Sequence, residues 1–401
     1  MTARGLDRRA LVVAGLSLAA VSTAALAQTD PRFRVFLDSL WLRAKDAGVS
    51  RATFDRELAG LAPDPALLGA SARQPEFERP ISAYVAEATS AGRVARGREA
   101  RARWSAELAR IAREEGVPGE IILAVWGMET DFGHASAGGH DIIRSLATMA
   151  FARPDGDAYA DEVVAALTMI EKGYATREKL VGSWAGAMGQ PQFLPSAFLK
   201  YAVSFNGSGA PDIWTSAPDT LASIGRFLRL EGWKRGVAWG TETIVPSSFD
   251  WRGLTGAFPV FASKGFRRAD GGSLPGSGNA TLYLPAGAGG PAFLLSDNYW
   301  IVKQYNNSDS YALSAALLGE RIADRPGVAA AWPPGLKLLP NADRVAMQKL
   351  LRDKGFYDGK IDGKFGPLGR DAIHRFQLSA GLMPADGFAS ASVLEALRRA
   401  R

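Results

Sequence analysis

A glutamate at the end of an apolar segment has the surroundings that acid–base chemistry needs. Glu129 closes this segment, and Thr-Asp-Phe-Gly133 follows it directly. Apolar residues recur at helical spacing and predict a helix that starts after Pro118 and stops near Gly133: Ile121, Ile122, Val125 and Met128. Because burial disfavours a charged carboxylate and raises its pKa, Glu129 is predicted to donate a proton near neutral pH. On spacing alone, a solvated glutamate after a core helix is the alternative.

The segment from Gly182 to Pro195 joins an unusual backbone to side chains that suit a sugar. Its glycines and prolines predict a loop of fixed geometry. Sugars have polar rims and apolar faces, and the loop offers partners for both: Ser183, Trp184, Gln190, Gln192 and Phe193. Residues 305–308 and Tyr311 repeat this mixture of amides, hydroxyls and rings. Taken singly, each residue is better explained as a cap, a core ring or a turn former. Together with Glu129 they indicate a saccharide site.

Composition excludes several classes of chemistry. A chain of 401 residues, 47% of them hydrophobic, can bury a sizeable core and predicts two or three domains. The absence of cysteine excludes disulfides, thiolate nucleophiles and Cys-ligated metals. The three histidines are His134, His140 and His374, and the spacing of the first two is not a metal-binding pattern. No metal and no organic cofactor are predicted.

The N-terminal residues 1–27 predict an export signal. Three arginines precede an uncharged stretch that ends in Ala25-Leu-Ala27, a small-x-small cleavage pattern. The alternative is a membrane anchor, but the stretch is short and only weakly apolar. Arg8 and Arg9 fit a twin-arginine signal, and a general secretory signal remains open. We therefore expect a soluble, exported, periplasmic protein without stable membrane insertion after signal removal. Its net charge of +6 favours a polyanion, and export points to the cell wall rather than nucleic acid.

The remaining chain predicts a mainly α fold in three parts. A helical catalytic domain covers residues 31–323 and contains a small β-containing insertion, in which residues 281–284 and 292–295 predict a hairpin. Residues 324–339 are rich in proline, glycine and alanine and predict a linker. Residues 340–401 predict a separate, small domain of three helices.

Three blocks, in this order, resemble the lytic murein transglycosylases of the B type, which are lysozyme-like enzymes that cleave peptidoglycan glycan strands. The blocks are AVWGMETDFG around Glu129, GSWAGAMGQPQFLP at 182–195 and QYNNS at 304–308. The resemblance runs from Phe33 to Ile322 and includes residues 74–77. It implies that Glu129 is the catalytic acid and base, and that Ser183 and Asn306 orient the substrate's N-acetyl group. It places four further residues in the glycan groove: Gln192, Phe193, Tyr305 and Tyr311. Tyr84 matches an active-site tyrosine of the family that would also bind substrate.

The C-terminal residues resemble a peptidoglycan-binding domain of the three-helix type. The motifs lie at residues 345–351, 355–359, 361–366, 372–377 and 385–387. Glycines after Asp358, Asp362 and Asp386 are predicted to have positive φ in tight turns. Such a module would tether the enzyme, a monomer, to glycan strands and raise their local concentration.

The sequence departs from the B-type pattern at three places. Asp155-Gly156 follows Pro154 where relatives often carry paired arginines that are thought to meet the stem peptide. Phe227 keeps the ring of a groove position and loses its hydroxyl. Some relatives hold calcium, but the loop Ser204–Gly209 has no carboxylate at its first positions, so bound calcium is not predicted.

A single acid suffices if the substrate supplies its own nucleophile. Asp131 is a poor second acid, because side chains two residues apart do not share a helix face. The resemblance implies that Glu129 protonates the oxygen between N-acetylmuramic acid and N-acetylglucosamine, then deprotonates the muramyl 6-hydroxyl, which closes a 1,6-anhydro ring. The alternatives are a lysozyme-type muramidase, in which water attacks, and a non-catalytic wall-binding protein.

Overall fold

A computed structural model describes residues 30–68, 79–135, 138–153 and 156–400. The predicted signal peptide, the motif at 74–77 and the Pro154-Asp155 pair lie outside the described residues. The helices are α1 (Pro31–Ser39), α2 (Trp41–Asp46), α3 (Arg51–Leu58), α4 (Pro65–Leu68), α5 (Ile81–Ala88), α6 (Ala91–Arg103), α7 (Ser105–Glu115), α8 (Gly119–Thr130), α9 (Ile142–Ala152), α10 (Gly156–Glu171), α11 (Pro195–Tyr201), α12 (Ala217–Leu230), α13 (Phe258–Ser263), α14 (Asp297–Gln304), α15 (Asp309–Ile322), α16 (Asn341–Asp353), α17 (Pro367–Ser379) and α18 (Ala391–Arg399). The strands are β1 (His140–Asp141), β2 (Val181–Gly182), β3 (Gly240–Ile244), β4 (Thr255–Ala257), β5 (Arg267–Arg268), β6 (Asn279–Tyr283) and β7 (Ala292–Leu295).

The chain forms two compact units. Among the described residues, the first comprises 30–68, Ala95–Glu231 and Tyr305–Asn307; the second comprises 79–94, Gly232–Gln304 and 308–400. None of the helices in the part of the chain that the structure describes is both long and apolar enough to cross a membrane.

Helix α8 lies in the core of the first unit, and its predicted position is confirmed. Pro118 is the N-cap, and Ile122 through Val125 are fully buried. Helices α7 and α12 pack against α8, while α9 and α10 pair with each other. Because α8 is apolar on every side, it needs neighbours all round, which fixes both its ends in space.

The second unit contains a five-stranded antiparallel sheet in the order β4-β6-β7-β3-β5. The predicted hairpin is confirmed, since β6 pairs with β7 and Leu282 lies opposite Leu294. One face of the sheet region buries a phenylalanine-rich core: Phe249, Phe258, Phe261 and Phe266 with Leu282, Leu284 and Leu294. Residues 324–339 form no helix or strand, but the Glu242 carboxylate on β3 accepts hydrogen bonds from the backbone N–H groups of Ala329 and Ala330, at 2.7 and 2.8 Å.

The C-terminal region forms the three predicted helices, α16, α17 and α18. Two buried glutamines each hold an Asp-Gly turn: the Gln348 Oε1 atom accepts from the backbone N–H of Gly363 at 2.7 Å, and the Gln377 Oε1 atom accepts from that of Gly387 at 2.8 Å. Both glycines have the expected positive φ, +73° and +69°. For Gly359 the expectation is wrong: its φ is not positive, and a side chain there would instead collide with the ring of Tyr357.

Candidate active site

Glu129 lies half-buried in the last turn of α8, next to a left-handed turn. Asp131, Phe132 and Gly133 have φ values of +51°, +61° and +81° in succession, so the chain reverses sharply after the glutamate. This turn folds the Phe132 ring back onto the helix, edge-on to the ring of Trp126 with centroids 5.8 Å apart. A Cβ atom at Gly127 would lie 2.5 Å from the Phe132 ring, so only glycine fits there.

The carboxylate of Asp131 forms an ion pair with a residue of α6. The Arg96 guanidinium lies 2.7 Å from its Oδ2 atom, and the two side chains are 38% and 22% exposed. Left-handed backbone is unusual for a residue other than glycine, although aspartate tolerates it better than most. Arg96 therefore stabilises the turn that ends α8 and engages the carboxylate nearest to Glu129 in the sequence.

Gln190 joins the end of α8 to the glycine-rich loop. Its Oε1 atom accepts from Trp126 Nε1 at 3.0 Å, and its Nε2 atom donates to the carbonyl of Trp214 at 3.0 Å. The Thr130 hydroxyl donates to the backbone carbonyl of Gln190 at 2.9 Å. The backbone N–H of Gln190 donates to the carbonyl of Ile213 at 2.8 Å. The amide predicted to face a sugar thus serves to fix the helix against the loop.

The loop from Gly182 to Pro195 is rigid because its own backbone groups pair with one another. Met188 and Phe193 exchange two hydrogen bonds, at 2.8 and 3.0 Å. The Ser183 hydroxyl, on a half-buried side chain, accepts from the backbone N–H of Ala187 at 3.0 Å. Since a hydroxyl also has a hydrogen to donate, Ser183 keeps a donor for a ligand. Gln192 has a positive φ of +51° and donates from Nε2 to the carbonyl of Gly189 at 2.9 Å.

Phe193 belongs to a buried group of four rings, which we call the aromatic cluster: Phe193, Tyr201, Phe227 and Tyr305. Phe193 is 0% and Tyr305 1% exposed, and the Tyr305 hydroxyl donates to the carbonyl of Pro191 at 2.8 Å. Burial, together with a hydrogen bond to the Glu231 carboxylate, raises the pKa of Tyr201 to about 12. The cluster thus supports the loop from within the core.

Asn306 follows the aromatic cluster and is almost completely buried, at 2% exposure. Its Oδ1 atom accepts no hydrogen bond from the described residues. A buried acceptor of this kind is rare in folded proteins and calls for an explanation such as a water molecule or a functional role.

The other two predicted groove residues, Tyr84 and Tyr311, lie in the second unit. Tyr84, on α5, is half-buried beneath the guanidinium of Arg79, 6.0 Å from the ring centroid. Tyr311 is 1% exposed in the first turn of α15, where its backbone N–H donates to the N-cap hydroxyl of Ser308 at 3.3 Å.

Within the described ranges, no group of three or more His, Asp or Glu residues could hold a metal ion. Near the loop Ser204–Gly209, the Asp219 carboxylate accepts the backbone N–H groups of Phe205 and Asp212, at 3.0 and 2.8 Å. This carboxylate therefore closes the segment by hydrogen bonds to the backbone.

Sequence reasoning missed Arg96 and the roles of Gly127 and Gln190. Gly127 lies in the AVWGMETDFG motif and Gln190 in the GSWAGAMGQPQFLP motif. The motifs identify these residues but do not predict what they contact. Arg96 is one of several arginines on α6, and nothing in the local pattern distinguishes it from its neighbours.

With this geometry established, comparison with known proteins defines the class. The family model described as "Transglycosylase SLT domain" matches residues 32–320, well over half of the chain, so the chain belongs to that family. A second model, "Putative peptidoglycan binding domain", matches residues 340–397.

Individual relatives agree with this assignment. Membrane-bound lytic murein transglycosylase B of Escherichia coli (strain K12) is 31% identical over 215 residues, 52% of this chain and 58% of that protein, so the chain spans little more than half of that relative. The crystal structure of SltB3 from Pseudomonas aeruginosa in complex with NAG-anhNAM-pentapeptide is 36% identical, covers 91% of this chain and 99% of that chain, and has a TM-score of 0.83. Soluble lytic transglycosylase SltB1 from Pseudomonas aeruginosa is 26% identical, covers 73% and 99%, and has a TM-score of 0.63. These similarities confirm the predicted family and the mainly α, lysozyme-like fold.

Proposed function

We propose that the protein is a lytic transglycosylase that cleaves the β-1,4 bond between N-acetylmuramic acid and N-acetylglucosamine in peptidoglycan. The observation that carries the proposal is the position of Glu129: it is half-buried at the end of a buried helix, beside a loop held to that helix by Gln190. A carboxylic acid on such a rigid support can deliver a proton to a fixed point.

The reaction uses one acid and a nucleophile within the substrate. Glu129 protonates the glycosidic oxygen, and the bond from that oxygen to the muramyl C1 atom breaks. The N-acetyl carbonyl, oriented by Ser183 and Asn306, stabilises the positive carbon. Glu129, now a carboxylate, takes the proton of the muramyl 6-hydroxyl, whose oxygen bonds to C1 and closes the 1,6-anhydro ring. Asp131 is bound to Arg96, which supports a mechanism without a second carboxylate.

The groove residues act in two ways. The exposed part of Tyr84 and the half-buried side chains of Ser183 and Gln192 contact the glycan. The rings of Phe193, Tyr305 and Tyr311 are 0–1% exposed and have almost no surface to offer a sugar, so we assign each a supporting role within its own compact unit.

The remaining properties follow from the cell-wall substrate. We infer export by the signal in residues 1–27, action in the periplasm as a soluble monomer, and the domain boundaries given above at residues 31–323, 324–339 and 340–401. The C-terminal domain binds glycan strands of the wall.

A hydrolase would use water where the lyase uses the muramyl 6-hydroxyl. The complex of SltB3 from Pseudomonas aeruginosa contains an anhNAM unit, and this chain is similar to SltB3 over nearly its full length, which favours the lyase. Mass spectrometry of digested sacculi separates the two, since anhydromuropeptides have lost one water relative to products with reducing ends.

Replacing Glu129 by Gln tests the assignment of the acid. Loss of a general acid costs about 10²- to 10⁴-fold in rate, so Glu129→Gln should release almost no soluble muropeptides from sacculi while still co-sedimenting with them. Glu120→Gln, in the first turn of the same helix, is the control and should remain active. Lysis at the wild-type rate by Glu129→Gln would refute the assignment. An inactive wild-type protein that still binds sacculi would favour the non-catalytic alternative.

A further inference from the structure

A fully buried carboxylate on α10 takes no part in the proposed mechanism. Glu162 is 0% exposed, and its carboxylate lies against the first turn of α11. One of its oxygens accepts the backbone N–H of Ser196 at 2.9 Å, and the other accepts the Ser196 hydroxyl. A carboxylate removed from water is costly unless hydrogen bonds replace the water. These two hydrogen bonds attach Ser196 to α10 through its backbone and its side chain together.

Glu162 takes the place of a helix cap. Helix α11 begins at Pro195, and its N-cap residue, Leu194, has no side-chain acceptor to offer. The first N–H groups of a helix have no partner inside it, and a negative charge beside them is favourable. The Glu162 carboxylate, 34 residues earlier in the chain, supplies the missing acceptor. The start of α11 therefore depends on α10 for its position.

The start of α11 is also the end of the loop Gly182–Pro195. Phe193 exchanges two backbone hydrogen bonds with Met188, and this pair closes the turn that contains Gln190 and Gln192. Leu194, between that pair and the helix, is 1% exposed, so the surrounding packing leaves it little room to absorb a displacement. A shift at the start of α11 is therefore passed on to both glutamines.

Gln190 carries this effect to the helix of the candidate acid. Its side chain accepts from Trp126 Nε1, and its backbone carbonyl accepts from the Thr130 hydroxyl. Thr130 directly follows Glu129, and Trp126 precedes Glu129 by three residues. All the residues on this path, from Glu162 to Glu129, belong to the first compact unit. Each step of the path is a contact or a chain connection within that unit.

Resting on the proposed function, we propose that Glu162 is a positioning residue for glycan cleavage. Its carboxylate fixes the end of the loop, and the loop in turn holds Gln192 for the glycan and braces the last turn of α8 for Glu129. Glu162 stays out of the reaction itself, because a carboxylate without exposed surface cannot reach a substrate. The site thus depends on a second carboxylate that orients the reacting groups and does not react.

Replacing Glu162 by the isosteric glutamine tests this role. Glu162→Gln removes the charge and turns one acceptor oxygen into a donor, so it cannot keep both hydrogen bonds from Ser196. We expect kcat on the tetrasaccharide (GlcNAc-MurNAc)₂ to fall by about tenfold, because small misplacements in a site reduce rate steeply. KM should change less, because the variant displaces substrate-binding groups without removing any of them. Asp161→Asn, at the adjacent residue in an exposed ion pair with Arg43, is the matched control and should behave as wild type.

Two variants of Ser196 show whether Glu162 acts through this residue. Ser196→Ala loses the hydroxyl and should lower kcat by a smaller factor than Glu162→Gln does. Ser196→Thr keeps the hydroxyl and should remain close to wild type. In the double variant Glu162→Gln/Ser196→Ala the two factors should not multiply, because both substitutions break the same contact. A general loss of stability would produce no such coupling in kcat.

The outcomes separate this proposal from the proposed function. Circular dichroism and the thermal midpoint establish that each variant is folded. Equal kcat for wild type and a folded Glu162→Gln would overturn the proposal, and so would factors that multiply in the double variant. If Glu162→Gln does not fold, wild-type kcat in Ser196→Ala would overturn it. A wild-type protein that forms no anhydro product would instead refute the proposed function.

Discussion

Two regions of the molecule can be compared: the end of α8 with the loop Gly182–Pro195, and the C-terminal three-helix domain. Both use glutamine side chains to hold turns, but their backbone geometry differs. In both regions a glutamine amide holds a glycine-containing turn against a helix: Gln190 in the first, Gln348 and Gln377 in the second. Around the candidate site, however, four residues other than glycine have positive φ: Asp131, Phe132, Gln192 and Asn307. Throughout residues 340–400, all of which the structure describes, only glycines do.

The difference shows that strained backbone occurs near the candidate site and is absent from the described C-terminal domain. Trp251 and Asp324 elsewhere also have positive φ. Left-handed backbone in residues other than glycine costs energy and persists only where surrounding contacts enforce it. Here Gln192 coincides with a residue that the family resemblance assigns to substrate, and Asn307 adjoins another, Asn306. Asp131 and Phe132 follow Glu129 by two and three residues. In the C-terminal domain the residues with positive φ are glycines, which adopt this backbone without such a cost. The first region has to hold polar groups in set positions, and its backbone is strained to do so.

A methyl group placed between Gly127 and the Phe132 ring should have the largest effect on stability and activity. Gly127→Ala places a methyl group against the Phe132 ring, and overpacking of this kind costs about 1–3 kcal/mol. We expect a lower free energy of unfolding in urea and a loss of sacculus lysis larger than the loss of folded protein explains. Gly139→Ala, where a Cβ atom meets nothing within 4 Å, is the control. Full activity of Gly127→Ala would show that the turn tolerates displacement.

Substitution of one glutamine in each region, Gln190 and Gln348, tests the comparison directly. Gln190→Ala and Gln348→Ala each leave buried polar groups unpaired, which costs about 1–3 kcal/mol for such a group. We expect Gln190→Ala to lower kcat on (GlcNAc-MurNAc)₂ and leave sacculus binding intact, because it loosens the loop. Gln348→Ala should weaken co-sedimentation with sacculi and lower kcat less. The reverse pattern would contradict the division of labour between the regions.

Removal of the Arg96 side chain should have a smaller effect on stability than on rate. Partly exposed ion pairs contribute about 0–1 kcal/mol, so Arg96→Ala should shift the thermal midpoint only slightly. Its kcat on sacculi should still fall several-fold, since the left-handed turn after Glu129 loses an anchor. Arg98→Ala, two residues further along α6, serves as the control. Similar rates for Arg96→Ala and Arg98→Ala would contradict a role of Arg96 in positioning the site.

The smallest effect is the pH dependence of a buried ion-pair cluster in the second unit, where the Asp309 carboxylate lies 2.8 Å from the Lys303 ammonium and 2.6 Å from the Arg370 guanidinium. The folded-state pKa of Asp309 is lowered, mainly by Arg370 and Lys303 acting against burial. A carboxyl group of this kind contributes stability above its unfolded-state pKa, about 3.9, and loses that contribution as pH falls through the folded-state value. Urea unfolding at pH 3, 5 and 7 should therefore show a smaller loss between pH 5 and 3 in Arg370→Met than in wild type. Parallel losses would argue against the Arg370–Asp309 contact.

Local patterns determined much of this protein in advance. The helical spacing of apolar residues before Glu129 predicted the start of α8 after Pro118 and its end to within three residues, and two short strand-like runs joined by a glycine-rich loop predicted the β6–β7 hairpin. Asp-Gly turns marked the C-terminal domain, because aspartate and glycine favour tight turns regardless of what surrounds them. The export signal in residues 1–27 also rests on local composition alone, and it stays a prediction. Each of these features depends on residues close together in the chain.

Only the tertiary structure decided how these elements are held. Gln190 lies 64 residues from Trp126, and Arg370 lies 61 residues from Asp309, so no local periodicity relates them. Likewise the sequence identifies Phe193 and Tyr305 as aromatic, but their burial depends on Phe227 and Tyr201, which come from other elements. A sequence pattern reports the preferences of one segment. Contacts between distant segments arise from packing, and packing fixes which polar groups remain for a substrate.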